Sequence, residues 1–131
     1  MNLNELSPKE VLHFFSEIAR IPHGSGNTGK LEQYCLDFAA SHNLRSFQDS
    51  YGNVMLFKDG TPGYENSDPV ILQGHLDMVC EKKPDCPADM EKDPIRPLTD
   101  GEYIWADGTT LGGDDGIAIA YILALLASET V

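Results

Sequence analysis

The chain has 131 residues, 41% apolar and 23% charged, which is the balance of one ordinary globular domain and excludes a disordered or fibrous chain. Its 21 acidic and 9 basic residues leave a formal net charge of −12, which repels phosphate backbones and anionic lipid and argues against nucleic acid or a membrane surface as partner. The opening MNLNELSPKE has neither the basic run nor the apolar core of a secretory signal. The longest apolar run, at 116–127, falls short of the ~20 residues that span a bilayer. Cys35, Cys80 and Cys86 are an odd number without a CxxC pair, which fits reduced thiols in a cytoplasmic protein.

In chain order, SPKEVLHFFSEIARI (7–21) predicts a helix. Ser7 is placed to cap it, Pro8 to take its first position and Glu10 to complete a capping box. Val11, Leu12, Phe14, Phe15, Ile18 and Ala19 fall on one face. His13 on this helix reads as a surface or packing residue. A second helix is expected over 28–41, burying Leu31, Tyr34, Cys35, Phe38 and Ala39. LRSFQD and NVMLFKD then form a hairpin about Ser50-Tyr51-Gly52, and 59–68 is turn-rich.

Residues 69–76 predict a buried strand, with Val70, Ile71 and Leu72 following Pro69. Four prolines between 80 and 100 (Pro84, Pro87, Pro94, Pro97) make that stretch mostly irregular, and EYIWAD (102–107) is a short strand candidate. The helix expected over 116–128 is apolar on nearly every side. It asks to be buried all round, so a partner covers it or the chain is the front part of something larger. The pattern is α/β, with helices packed on a mixed sheet.

GSGNTGK (24–30) has the G-x-x-x-x-G-K spacing of a phosphate-binding loop. That mechanism needs a preceding strand and a Ser or Thr after the lysine; here a helix precedes, and Leu31 follows Lys30. The stretch reads as a glycine-rich turn between helices.

The apolar run at 69–76 ends on His75, with Asp77 two residues on, so both point to one side if Leu76 faces the other. Imidazole is a common zinc ligand, and a neighbouring carboxylate orients the ring. Alone, H-x-D is equally a hydrogen-bonded pair at a strand end. Further on, Asp114 and Asp115 sit among Gly112, Gly113 and Gly116 at the start of the apolar helix. Acids there complement the helix dipole, which is the plain structural reading. A carboxylate bridging two metal ions ~3.5–4 Å apart would need such placement as well.

GHLDMV followed by GTTLGGDDGIAIA resembles the metal-binding signature of the co-catalytic zinc peptidases, the family of aminoacylase, carboxypeptidase G and the tripeptidase. The similarity is strongest to its aminoacyl-histidine (Xaa-His) dipeptidase branch, and it extends over essentially the whole chain, through IPHGSGN and YGNVMLFK. Many members of the wider family carry lysine after the two acids, where this chain has Gly116.

The resemblance implies that His75 binds one zinc, that Asp77 is the catalytic-site acid holding a histidine ligand, and that Asp114 bridges two zinc ions. Asp115 would support the site, and the Asp114–Asp115 peptide would be cis. Cobalt and manganese stand as alternatives to zinc. The implied reaction is hydrolysis of short peptides such as β-alanyl-histidine, with a glutamate of a Glu-Glu pair as general base.

No Glu-Glu pair occurs in this sequence, and His13, His23 and His42 match no ligand position of the family. Residues 1–131 are therefore expected to be the incomplete N-terminal portion of a zinc-dependent peptidase catalytic domain, to be completed by a missing C-terminal portion or a second copy. The alternative is a non-catalytic fragment or interaction module that docks through its hydrophobic C-terminal helix.

Overall fold

The computed structural model describes residues 3–131; the first two residues of the MNLNELSPKE opening lie outside them. Helix α1 spans Lys9–Ala19 and buries the six residues its spacing predicts. The expected capping box does not form. Pro8 itself is the cap residue, with extended backbone (φ −74°, ψ 125°), and no side chain caps the helix. Its carbonyl accepts the first helical bond, from Leu12 N at 3.1 Å, so Ser7 lies one residue too early to cap.

Helix α2, Gly29–Ser41, buries Leu31, Cys35, Phe38 and Ala39, with Tyr34 partly covered. Burial pushes the Cys35 thiol up to about 11, so it behaves as an inert core residue. All three cysteines are free thiols.

Strands β1 (Arg45–Gln48) and β2 (Val54–Phe57) pair antiparallel, with Arg45 opposite Phe57 and Gln48 opposite Val54. Gly52 takes φ +89° in their turn, a conformation that suits glycine. Asp49 accepts hydrogen bonds there from the amides of Tyr51 and Asn53. Lys58, just past β2, donates to the carbonyls of Leu125 and Leu126 at 3.2 Å and to that of Ser128. The hairpin thus carries a cation to the negative end of the last helix.

Strands β3 (Pro97–Thr99) and β4 (Ile104–Ala106) form a second antiparallel hairpin. β4 lies within the predicted EYIWAD strand. Its partner falls in the proline-rich stretch expected to be mostly irregular. Pro97 is the first residue of the strand, a position where the missing N–H is tolerated.

Helix α3 spans Gly113–Ala127, but Asp114 and Asp115 have non-helical angles, so the regular helix begins after them. Ile119, Ala120 and Leu123 pack with Phe14, Phe15 and Ile18 of α1 in the main core. A side chain at Gly116 would press within 3.3 Å of the Phe15 ring, which explains glycine at this helix crossing. Ile117, Tyr121 and Leu125 remain exposed, so the chain covers only one side of this apolar helix.

The α/β class holds, but the sheet differs from expectation. The described strands make two separate two-stranded antiparallel sheets rather than one mixed sheet. Residues 69–76 are not a buried strand. They belong to no sheet, and Val70, Ile71 and Leu72 are 83%, 89% and 49% exposed. The apolar pattern is that of a strand covered on both faces, but no described strand lies alongside to pair with it.

Candidate functional site

The two candidate motifs meet where segment 74–78 crosses the start of α3. Gly74 makes the crossing possible: a Cβ there would lie 2.8 Å from Asp115 Oδ2 and 2.9 Å from Ile119 Cδ1. The next amide, His75 N, donates to Asp115 Oδ2 at 3.3 Å. Leu76 packs against the main core, and the side chains of His75 and Asp77 turn the other way. The alternation of an extended backbone survives here without a neighbouring strand.

Met78 fixes the far end of the segment. It is buried, and its amide donates to His23 O at 3.1 Å while its carbonyl accepts from Ser25 N at 3.2 Å. These two bonds tie the segment to the glycine-rich turn between α1 and α2. Gly112 is left-handed (φ +74°), and a Cβ on it would meet Met78 Sδ at 2.8 Å and His23 Nε2 at 3.4 Å. Buried His23 therefore belongs to the packing beneath the site, with Nδ1 2.5 Å from Ile21 O.

The His75 ring lies between two carboxylates. Nε2 is 3.0 Å from Asp114 Oδ1, and Nδ1 is 3.2 Å from Asp77 Oδ1 and 2.9 Å from the Asp77 carbonyl. The side chains are open to solvent, 53% exposed for His75, 42% for Asp77 and 95% for Asp114. The hydrogen bond to Asp114, with help from the Asp77 carbonyl and the nearby acids, holds the imidazole above its ordinary pKa. The Ser25 hydroxyl, and after it the His75 ring, lowers the Asp77 carboxyl. The Asp114–Asp115 peptide is cis, as the family resemblance implies.

The structure thus brings together His75, Asp77 and Asp114 and gives Asp115 a backbone to hold. His75 Nε2 and a carboxylate oxygen of Asp114 are donors of the kind zinc takes, and a carboxylate behind Nδ1 is the usual backing of a ligating histidine. Among the described residues, no group of three or more His, Cys, Asp or Glu side chains is gathered so as to hold a metal ion. The donor set fits part of a zinc site, which takes three or four ligands. His42 is remote in role, stacking on Phe38 at 4.1 Å between ring centroids.

Sequence reasoning missed Ser25. Its hydroxyl donates to Asp77 Oδ2, the oxygen turned away from His75. Nothing local marks it, because its partner is 52 residues away.

Comparison with known proteins shows what the sequence and fold are similar to. No protein-family model matches the chain. A tripeptidase from Staphylococcus aureus subsp. aureus Mu50 superposes with a TM-score of 0.67 at 20% identity, over 92% of this chain and 32% of that one, which shows a shared fold. More particularly, the crystal structure of aminoacylhistidine dipeptidase from Vibrio alginolyticus superposes with a TM-score of 0.95 at 43% identity. That match covers 98% of this chain and 26% of the other. The chain is also 44% identical over 129 residues to the cytosol non-specific dipeptidase of Escherichia coli (strain K12), covering 98% of itself and 27% of that protein. Nearly the whole chain thus matches a piece of these dipeptidases and spans about a quarter of their length. No helix among the described residues is long and apolar enough to cross a membrane.

Proposed function

We propose that this chain carries one half of the dinuclear zinc centre of a cytoplasmic metallodipeptidase acting on Xaa-His dipeptides such as β-alanyl-histidine. The observation that carries the reading is the 3.0 Å approach of His75 Nε2 to Asp114 Oδ1, two residues 39 apart in sequence, with Asp77 on the other ring nitrogen. The names of the matched dipeptidases support the substrate class, and that of the Escherichia coli relative supports the compartment.

In this reading His75 would hold zinc through Nε2, and Asp114 would supply a carboxylate ligand beside it. Asp77 keeps the imidazole turned and its Nδ1 proton in place, while Asp115 positions the backbone of His75. Bound zinc supplies Lewis acidity, polarising a carbonyl and lowering the pKa of water. The general base and the remaining ligands are not among these residues, since the sequence has no Glu-Glu pair. The chain alone is then a weak zinc binder without peptidase activity.

The test is calorimetric titration of the chain with zinc beside His75→Ala and Asp114→Ala. Loss of at least about tenfold in affinity in both variants is expected. Equal binding by all three chains overturns the metal reading. The exposed outer side of α3 favours a second reading, a non-catalytic interaction module. Mass by light scattering that rises with concentration, together with zinc binding unaltered in His75→Ala, would favour it.

A further inference from the structure

We infer that Ser25, in the stretch that mimics a phosphate-binding loop, is the positioning residue that sets Asp77 against the His75 ring. The inference deepens the proposed zinc site and rests on that reading.

A carboxylate backing a histidine ligand must present one oxygen to the ring nitrogen. Asp77 is half-exposed on an extended segment, so packing alone does not fix its torsions. Oδ1 faces His75 Nδ1 at 3.2 Å, and Oδ2 is occupied by the Ser25 hydroxyl, so the carboxylate is gripped at both ends. The Ser25 hydroxyl is a neutral donor to a charged acceptor, a bond roughly twice as strong as one between neutral groups.

The grip is also built to hold its place. Ser25 N donates to Met78 O and Met78 N to His23 O, so the backbones carrying Ser25 and Asp77 are bridged one residue beyond the side-chain contact. Gly24, paired to Met78 in that bridge, lies so close to the chain that a Cβ would sit 2.7 Å from Cys80 Sγ. Gly24 therefore allows the close approach that brings a serine to an aspartate. Ser25 acts on His75 only through Asp77.

The test uses the 131-residue chain and reads zinc affinity by calorimetry and the His75 ring nitrogens by ¹⁵N NMR. Ser25→Ala should bind zinc about tenfold more weakly, the low end of what a lost outer partner costs a site. Its zinc-bound His75 should exchange the Nδ1 proton faster. Ser25→Thr, which keeps the hydroxyl, should restore both. In an Asp77→Ala background, Ser25→Ala should change nothing further, because the two share one path.

Zinc binding lost in His75→Ala but unchanged in Ser25→Ala overturns the role of Ser25 and leaves the metal reading intact. Zinc binding indifferent to His75→Ala overturns the reading beneath it. An equal loss from Ser25→Ala with and without Asp77 shows a fold defect and sinks the inference, as does failure of Ser25→Thr to rescue.

Discussion

Two apolar stretches of this chain have opposite fates. The face of α1 is covered by its own chain, with Ile18 only 1% exposed. Val70 and Ile71, no less apolar, stand almost wholly in solvent. A buried side chain of this size contributes about 1.5–3 kcal/mol relative to an exposed one, so the second stretch forgoes stability that the first secures. The difference lies in what each pattern demands. An amphipathic helix needs cover on one side, and α3 provides it. A run apolar on both sides of an extended backbone needs strands beside it and layers above and below.

The comparison can be broken most forcefully on the covered side. Leu123 is fully buried between α3 and α1, and Leu123→Ala should cost about 2–5 kcal/mol in urea unfolding. A loss below 1 kcal/mol would mean the α1–α3 contact is not the centre of stability.

A smaller effect is expected where α3 ends. Lys58→Ala removes the ammonium that reaches three terminal carbonyls and should cost about 0.3–1 kcal/mol, less at high salt. Insensitivity of that cost to salt would remove the electrostatic account.

The least change in stability belongs to the open stretch. Ile71→Ser should shift the unfolding free energy by no more than about 0.5 kcal/mol, while reducing any self-association seen by light scattering. A stability loss as large as that of Leu123→Ala would show that residue 71 is covered in solution.

The same contrast explains what the sequence made legible. The six buried positions of α1 and the hairpin about Gly52 each follow from local pattern, and each is present. The side chains of His75, Asp77 and Asp114, singled out from two separate motifs, lie within hydrogen-bond distance of one another through the His75 ring. The predicted strand at 69–76 is absent because a strand is a relation between segments, and no described segment supplies the other member. β3 escaped notice for the converse reason, since its partner β4 overrides a stretch that prolines mark as irregular. Ser25 could not be found locally at all: serine in a glycine-rich turn has many uses, and this one is decided by a residue far along the chain.

The bridge between His23, Ser25 and Met78 has one more consequence, for how this molecule tolerates change in length. Because Met78 is bonded through both its amide and its carbonyl, it acts as a register mark shared by two distant pieces of chain. One residue added between His23 and Ser25 would slide the hydroxyl out of step with Asp77. One added after Asn27, whose amide closes the turn on Gly24 O at 2.8 Å, falls outside the stretch bonded to Met78. Spacing is thus fixed from His23 to Asn27, where successive backbone bonds leave no room for an extra residue.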